Sequence, residues 1–261
     1  MHLSSLYIYP IKSCAGTSLA EAAVTDMGLA GDRRWMLADK GGRFLTGREH
    51  PRLVQVSIAL NDAGFVATAP DAEPLTVVQR DFTEAVPTGV WRQEFDAWRG
   101  SDEADDWFSF YLGLECQLLH IGAQPARRLK VDETLPMSFA DGYPYLLIGE
   151  NSLADLNSRL ARPVSMRNFR PNLVVANAPA FAEDGWQRIR IGTIEFEMAK
   201  PCERCVFTTV DPDSGNLHPE RQPLVTLGGY RRSEAGILFG MNVIARATGV
   251  LRVGDPVEVI A

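Results

Sequence analysis

The chain is predicted to be mainly β with a few helices, an α+β protein of barrel-like or sandwich architecture. Short β-branched or apolar runs recur along it, Gly, Pro, Asn and Asp clusters punctuate them, and only two segments show helical spacing. In chain order the predicted strands are 3–9, 54–60, 116–121, 173–175, 194–198, 206–210 and 257–260. Turn signals at 40–43, 61–64 and 253–256 separate them. The first helix, 102–112, sets Ala104, Trp107, Phe108, Tyr111 and Leu112 on one face and stops at Gly113. The second, 152–160, spaces Leu153, Leu156 and Leu160 helically and ends before Pro163. Both read as core packing rather than function. A polar, proline-bearing link at 124–128 divides the chain into β-rich halves, 1–123 and 124–261.

Composition narrows the function classes. With 261 residues, 46% hydrophobic and 23% charged, the chain can bury a substantial core. Its N-terminus lacks a basic region and Pro10 and Lys12 break any apolar stretch, so no signal peptide is expected. No segment approaches the roughly 18 unbroken apolar residues of a membrane span. Four cysteines, at 14, 116, 202 and 205, are too few and too scattered for a secreted disulfide scaffold, so a cytoplasmic location is expected. The net charge of −7 argues against nucleic acid as a partner. Charge is uneven, however. Residues 94–106 are acid-rich, whereas Arg127, Arg128, Lys130, Arg159, Arg162, Arg167 and Arg170 follow with few acids among them. That run is either an ordinary mixed surface or a local pocket for a small anion.

Residues 200–215 carry the most chemistry. Pro201-Cys202-Glu203-Arg204-Cys205 puts two thiols three residues apart with an arginine between them, and an Asp-Pro-Asp-Ser-Gly turn closes the following run. A cation beside a thiol favours the thiolate, which is both nucleophile and soft metal ligand. A zinc deaminase would need a His-x-Glu upstream of the pair. Of the four histidines only His218 has a Glu two residues on, and it lies downstream. A zinc finger would need a further His after His218, and a thioredoxin-like pair would open a helix rather than a β-branched run. Plain packing of both cysteines remains open from spacing alone. Lys12 follows the first strand, and Arg33 and Arg170 each precede one. An ammonium and two planar guanidinium groups at strand mouths can grip a phosphate.

Six motifs in order then give a resemblance: Tyr-Pro-Ile-Lys-Ser-Cys at 9–14, Gly-Asp-Arg-Arg-Trp at 31–35, Leu-Ala-Asp-Leu-Asn-Ser-Arg-Leu at 153–160, Asn-Phe-Arg-Pro-Asn at 168–172, Arg-Cys-Val-Phe-Thr-Thr-Val-Asp-Pro-Asp-Ser-Gly at 204–215 and Val-Gly-Asp-Pro-Val at 253–257. Across nearly its whole length the chain resembles the MOSC family in its two-part form. It looks similar to members that reduce amidoximes and hydroxylaminopurines. The resemblance implies a MOSC N-terminal β-barrel region at 1–123, a MOSC domain at 124–261, and a cofactor site between two barrel-like halves.

It further implies a molybdenum cofactor, a phosphate-bearing pterin dithiolene whose metal is held by Cys205. Cofactor contacts are implied for Lys12, Ser13, Arg33, Arg170, Asn172, Glu203, Arg204 and Asn242, and a catalytic acid at Asp141. Asp211 is expected to cap the turn that follows rather than act in catalysis. A soft thiolate suits a sulfur-rich metal centre. The implied reaction is two-electron reduction of a small N-hydroxylated substrate, a detoxifying chemistry. The four cysteines do not match iron–sulfur spacing and no membrane anchor is visible, so electrons are expected from a separate donor of ferredoxin or flavin-reductase type. The alternative is a non-catalytic cofactor or sulfur carrier related to cofactor sulfurases.

Overall fold

The computed structural model describes residues 1–261. A nine-stranded sheet organises the molecule. Across it run Thr17–Leu19, His2–Ile8, Leu173–Ala176, Tyr145–Gly149, Gly236–Ala245, Ile194–Glu203, Arg188–Ile191 and Val257–Val259, with the short strand Arg232–Ser233 paired off this path. Pairing is antiparallel except between Tyr145–Gly149 and Leu173–Ala176. That parallel step requires a crossover, supplied by helix α2 (Glu150–Ser158). A second sheet orders Trp35–Ala38, Gln117–His120, Gln93–Arg99 and Glu84–Val90.

The two largest hydrophobic clusters do not divide at residue 124. One joins Leu3, Leu6, Ile8 and Val24 to Tyr145, Leu173, Phe196 and Val243. The other packs Ile11, Trp35, Leu53, Phe65 and Leu118 against Phe108 of helix α1 (Asp102–Leu112). The first strand therefore completes the sheet of the C-terminal half, and the chain crosses into the N-terminal core near Ile11. This threading sets Lys12 and Arg33 beside residues 127 to 139 positions away.

Helix α1 forms where its periodicity predicts it. Ser101 Oγ accepts the Ala104 amide at its start, and Gly113 takes a left-handed φ of 70° at its end. Elsewhere the chain departs from expectation. Residues 206–210 are not a strand: Val206–Thr209 is a 3-10 turn, because the Thr208 and Thr209 hydroxyls bond back to the Cys205 and Val206 carbonyls. The strand predicted at 54–60 opens as a 3-10 turn over Pro51–Gln55 before Ser57–Asn61. The strand from Ile194 continues to Glu203 because register shifts around Lys200 and Pro201 absorb the proline. Helix α2 starts two residues early, and a third helix, α3 (Leu224–Tyr230), contains a Gly-Gly pair that masks it in the sequence. No helix is long and apolar enough to cross a membrane.

His120 is 4% exposed and lies between the rings of Trp35 and Phe82, at 5.1 and 5.7 Å. Burial, helped by the Arg34 charge, pushes its pKa down from 6.5 to about 4. Below pH 6.5 the unfolded chain takes up a proton that the folded chain refuses until about pH 4. Stability therefore falls as the pH drops through that window. Replacing His120 with Gln should remove about 2 kcal/mol of the stability lost between pH 7 and pH 5. Chemical denaturation at both values measures this, and an unaltered pH dependence contradicts it.

Candidate functional site

One cleft of about 630 Å³ opens where the strand ends converge. All ten residues singled out from the sequence line it: Lys12, Ser13, Arg33, Asp141, Arg170, Asn172, Glu203, Arg204, Cys205 and Asn242. Phe44, Thr46, Arg48 and Trp91 close it from the N-terminal half, and Lys130, Tyr143 and Phe207 add to its walls. Its charged lining is seven basic residues against two acidic ones, in a chain of net charge −7. Such a cleft attracts an anion. Of the basic run from 127 to 170, only Lys130 and Arg170 reach it. Arg127 is buried and donates to the Ser138, Ala140 and Asp141 carbonyls, Arg159 pairs with Asp155, and Arg167 with Asp213.

The cationic floor is built around Tyr9. The guanidinium of Arg33 lies 4.5 Å from its ring centroid and that of Arg170 lies 4.0 Å away, two cation–π contacts on one residue. Arg33 is further fixed by Asp32 at 2.6 Å and by Asn172 Oδ1 at 3.0 Å. Arg170 donates from Nη1 to the Cys14 carbonyl at 2.7 Å, but its buried Nη2 has no partner. Burial pushes its pKa down to about 10, and the Arg33 charge acts the same way. Ser13, Arg33 and Arg170 all have left-handed backbone, with φ of 70°, 48° and 57°. Non-glycine residues are held there only where surrounding contacts over-determine them.

Lys12 is 6% exposed. Its Nζ donates to Asp141 Oδ1 at 2.5 Å and to the Phe139 carbonyl at 2.9 Å. Burial lowers its pKa and outweighs the opposing pull of Asp141. For Asp141, whose side chain is 68% exposed at the cleft mouth, desolvation by the surrounding walls raises the pKa, but the Lys12 ammonium dominates and holds the carboxyl at about 2. Asn172 is fully engaged by the scaffold. Its Oδ1 accepts from the Leu146 amide and from Arg33, and its Nδ2 donates to the Tyr7 carbonyl. It positions Arg33 at the cleft wall.

The two cysteines occupy different surroundings. Cys202 is half-buried against the cluster of Phe169 and Phe239 and accepts from Arg204 Nη1 at 3.0 Å. Cys205 is exposed at the cleft. The arginine expected to favour the thiolate of the cleft cysteine therefore points at its neighbour, because Arg204 Nη2 is simultaneously drawn to the Phe169 carbonyl. No three His, Cys, Asp or Glu side chains cluster as metal ligands, so Cys205 has no zinc-type set around it. Glu203 pairs with Lys200 at 2.8 Å, and Asn242 donates to the Pro201 carbonyl. Asp211 lies outside the cleft and accepts from Asp213 and Ser214, as a turn cap does.

Sequence reasoning missed Tyr9 and Trp91. Tyr9 was legible only as a motif letter. Trp91 left one trace, a bulky residue in a two-residue hairpin turn.

Matches to family models and to named relatives point to one family. The MOSC N-terminal beta barrel domain matches residues 1–115 and the MOSC domain matches residues 134–258. Mitochondrial amidoxime reducing component 2 of Rattus norvegicus is 36% identical, over 98% of this chain and 82% of its own. Mitochondrial amidoxime-reducing component 1 of Homo sapiens is 33% identical, over 99% and 82% respectively. Among solved structures, the YUAD protein from Bacillus subtilis covers 98% of this chain and 92% of its own, with a TM-score of 0.46 and 11% identity.

Replacing Asn172 with Leu keeps the branched shape, with somewhat bulkier methyl ends, but strips the Leu146 amide and Tyr7 carbonyl of this partner at a site 1% exposed. The expected cost is on the order of 2–4 kcal/mol in denaturant unfolding. A loss below about 0.5 kcal/mol, the range of a neutral surface change, contradicts this role.

Proposed function

The chain belongs to the MOSC family, and from that premise we propose that its cleft binds a molybdenum cofactor and reduces small N-hydroxylated compounds. The observation that carries the proposal is that, of the two cysteines lining the cleft, only Cys205 is exposed, and that it lies beside a cationic floor with an unsatisfied buried donor, Arg170 Nη2. That combination fits a ligand with both a soft metal and a phosphate. The names of the relatives, which describe amidoxime reduction, support the substrate class.

In this reading Cys205 ligates the metal, while Lys12, Ser13, Arg33, Arg170 and Arg204 hold the anionic part. Asn172 keeps Arg33 aimed, and Glu203 and Asn242 border the metal and pterin. When bound, the cofactor supplies two-electron reduction of an N–O bond: a hydroxylamine, two electrons and two protons give an amine and water. Electrons come from a separate redox protein. Asp141, held ionised by Lys12, is no proton donor in the arrangement described here. Any anion that draws on Lys12 weakens that pair and moves the Asp141 pKa upward, toward the working range of an acid.

The test is activity with a chemical electron donor, such as reduced viologen, in two variants side by side. Cys205→Ser should lose about a hundredfold or more, since an alcohol is a harder and far less acidic ligand. Cys202→Ser should keep most activity, because that thiol packs and accepts one hydrogen bond. Equal loss in both contradicts the single-sulfur assignment. A wild-type protein inactive with every donor would fit the carrier alternative instead.

A further inference from the structure

Trp91 is out of place by every ordinary rule of a hairpin. Val90 pairs with Gln93, so Trp91 and Arg92 form a two-residue turn between Glu84–Val90 and Gln93–Arg99. Trp91 occupies the first central position with a φ of 58°. Such turns favour glycine there, and a bulky residue with positive φ is an outlier. Its side chain is also 52% exposed. A strained backbone and a large apolar side chain in water both cost stability, yet the indole is held in one orientation. Its Nε1 donates to Asp141 Oδ1 at 3.1 Å, Phe44 meets it edge-on at 5.4 Å, and the Arg48 guanidinium lies 4.7 Å from the ring. The turn itself is pinned from behind, where Arg43 bridges to Gly89 and Thr88 Oγ1 donates to the Gly42 carbonyl at 2.7 Å.

The indole so held forms part of the cleft wall. We propose that Trp91 is the specificity wall of this cleft and that it selects substrates whose N–O group is carried on an aromatic ring. A flat aromatic ring stacks on an indole surface already fixed in place, so little rotamer freedom is lost on binding. A small aliphatic substrate cannot use that surface. Asp141 links the wall to the chemistry, since one carboxylate oxygen takes both the Trp91 indole and the Lys12 ammonium. The proposal rests on the reading of the cleft as an N–O reducing site, and it names the substrate body that the site prefers.

The experiment compares Trp91→Gly, Trp91→Phe and wild type, all loaded with cofactor and driven by reduced viologen, on benzamidoxime and acetamidoxime. Glycine relieves the turn, so the variant folds, and its melting temperature checks that. The ratio of kcat/KM for the aromatic over the aliphatic substrate should fall by about tenfold in Trp91→Gly, carried by KM, and Trp91→Phe should recover most of it. An equal change on both substrates means that Trp91 only props Asp141 and Lys12, which overturns the proposal, as does an unchanged ratio. Calorimetric binding of benzamidoxime without reductant is the independent arm. It should weaken by a similar factor in Trp91→Gly even if no preparation turns over, and equal binding to wild type and Trp91→Gly overturns the proposal. Absence of turnover with the expected binding loss would count against the reductase reading alone.

Discussion

Two arginines and a lysine are held together beside one cleft, against their mutual repulsion, and the rest of the site depends on how that is done. The ring of Tyr9 receives both Arg33 and Arg170, and its hydroxyl is tied to the Pro171 carbonyl at 3.2 Å. Asp32, itself 1% exposed, takes Arg33 on one carboxylate oxygen and the Tyr9 amide on the other. Asp141 neutralises Lys12 from the far wall. Charges buried this deeply are tolerated only when paired and hydrogen-bonded. Two buried donors of cleft-lining arginines, Arg170 Nη2 and Arg204 Nε, are left without an acceptor.

The fold makes that arrangement reachable. Because the strand His2–Ile8 lies against Leu173–Ala176 in the sheet of the C-terminal half, the segment that follows it emerges next to Arg170. The long strand Ile194–Glu203 ends at the same rim and delivers Cys205, while the 3-10 turn after it keeps the thiol facing the cleft instead of burying it in a continuing strand. Both halves of the molecule thus contribute walls, and neither contains the whole site.

Much of this was legible in the residues themselves. The helix 102–112 announced both its face and its cap, and the motifs around Lys12, Arg33, Arg170 and Cys205 led to residues that share one cleft. What stayed hidden was set by tertiary contacts. Val206–Thr209 has strand composition, but hydroxyl bonds to nearby carbonyls turn it. Arg204 sits between two cysteines in the sequence, and only the Phe169 carbonyl decides which one it faces. No motif shows that the Asn172 amide also bonds Tyr7, Leu146 and Arg33. The left-handed backbone at Ser13 and both arginines carries no glycine to betray it.

The central claim is that one thiol and a cationic cradle make a site for molybdenum held by a phosphate-bearing pterin. The most direct measurement is metal and pterin content of the wild-type protein purified from a host that makes the cofactor. Molybdenum and the pterin should appear together in stoichiometric amount with the chain, with zinc at trace level. Stoichiometric zinc, or a chain that takes up neither molybdenum nor pterin, would contradict the account.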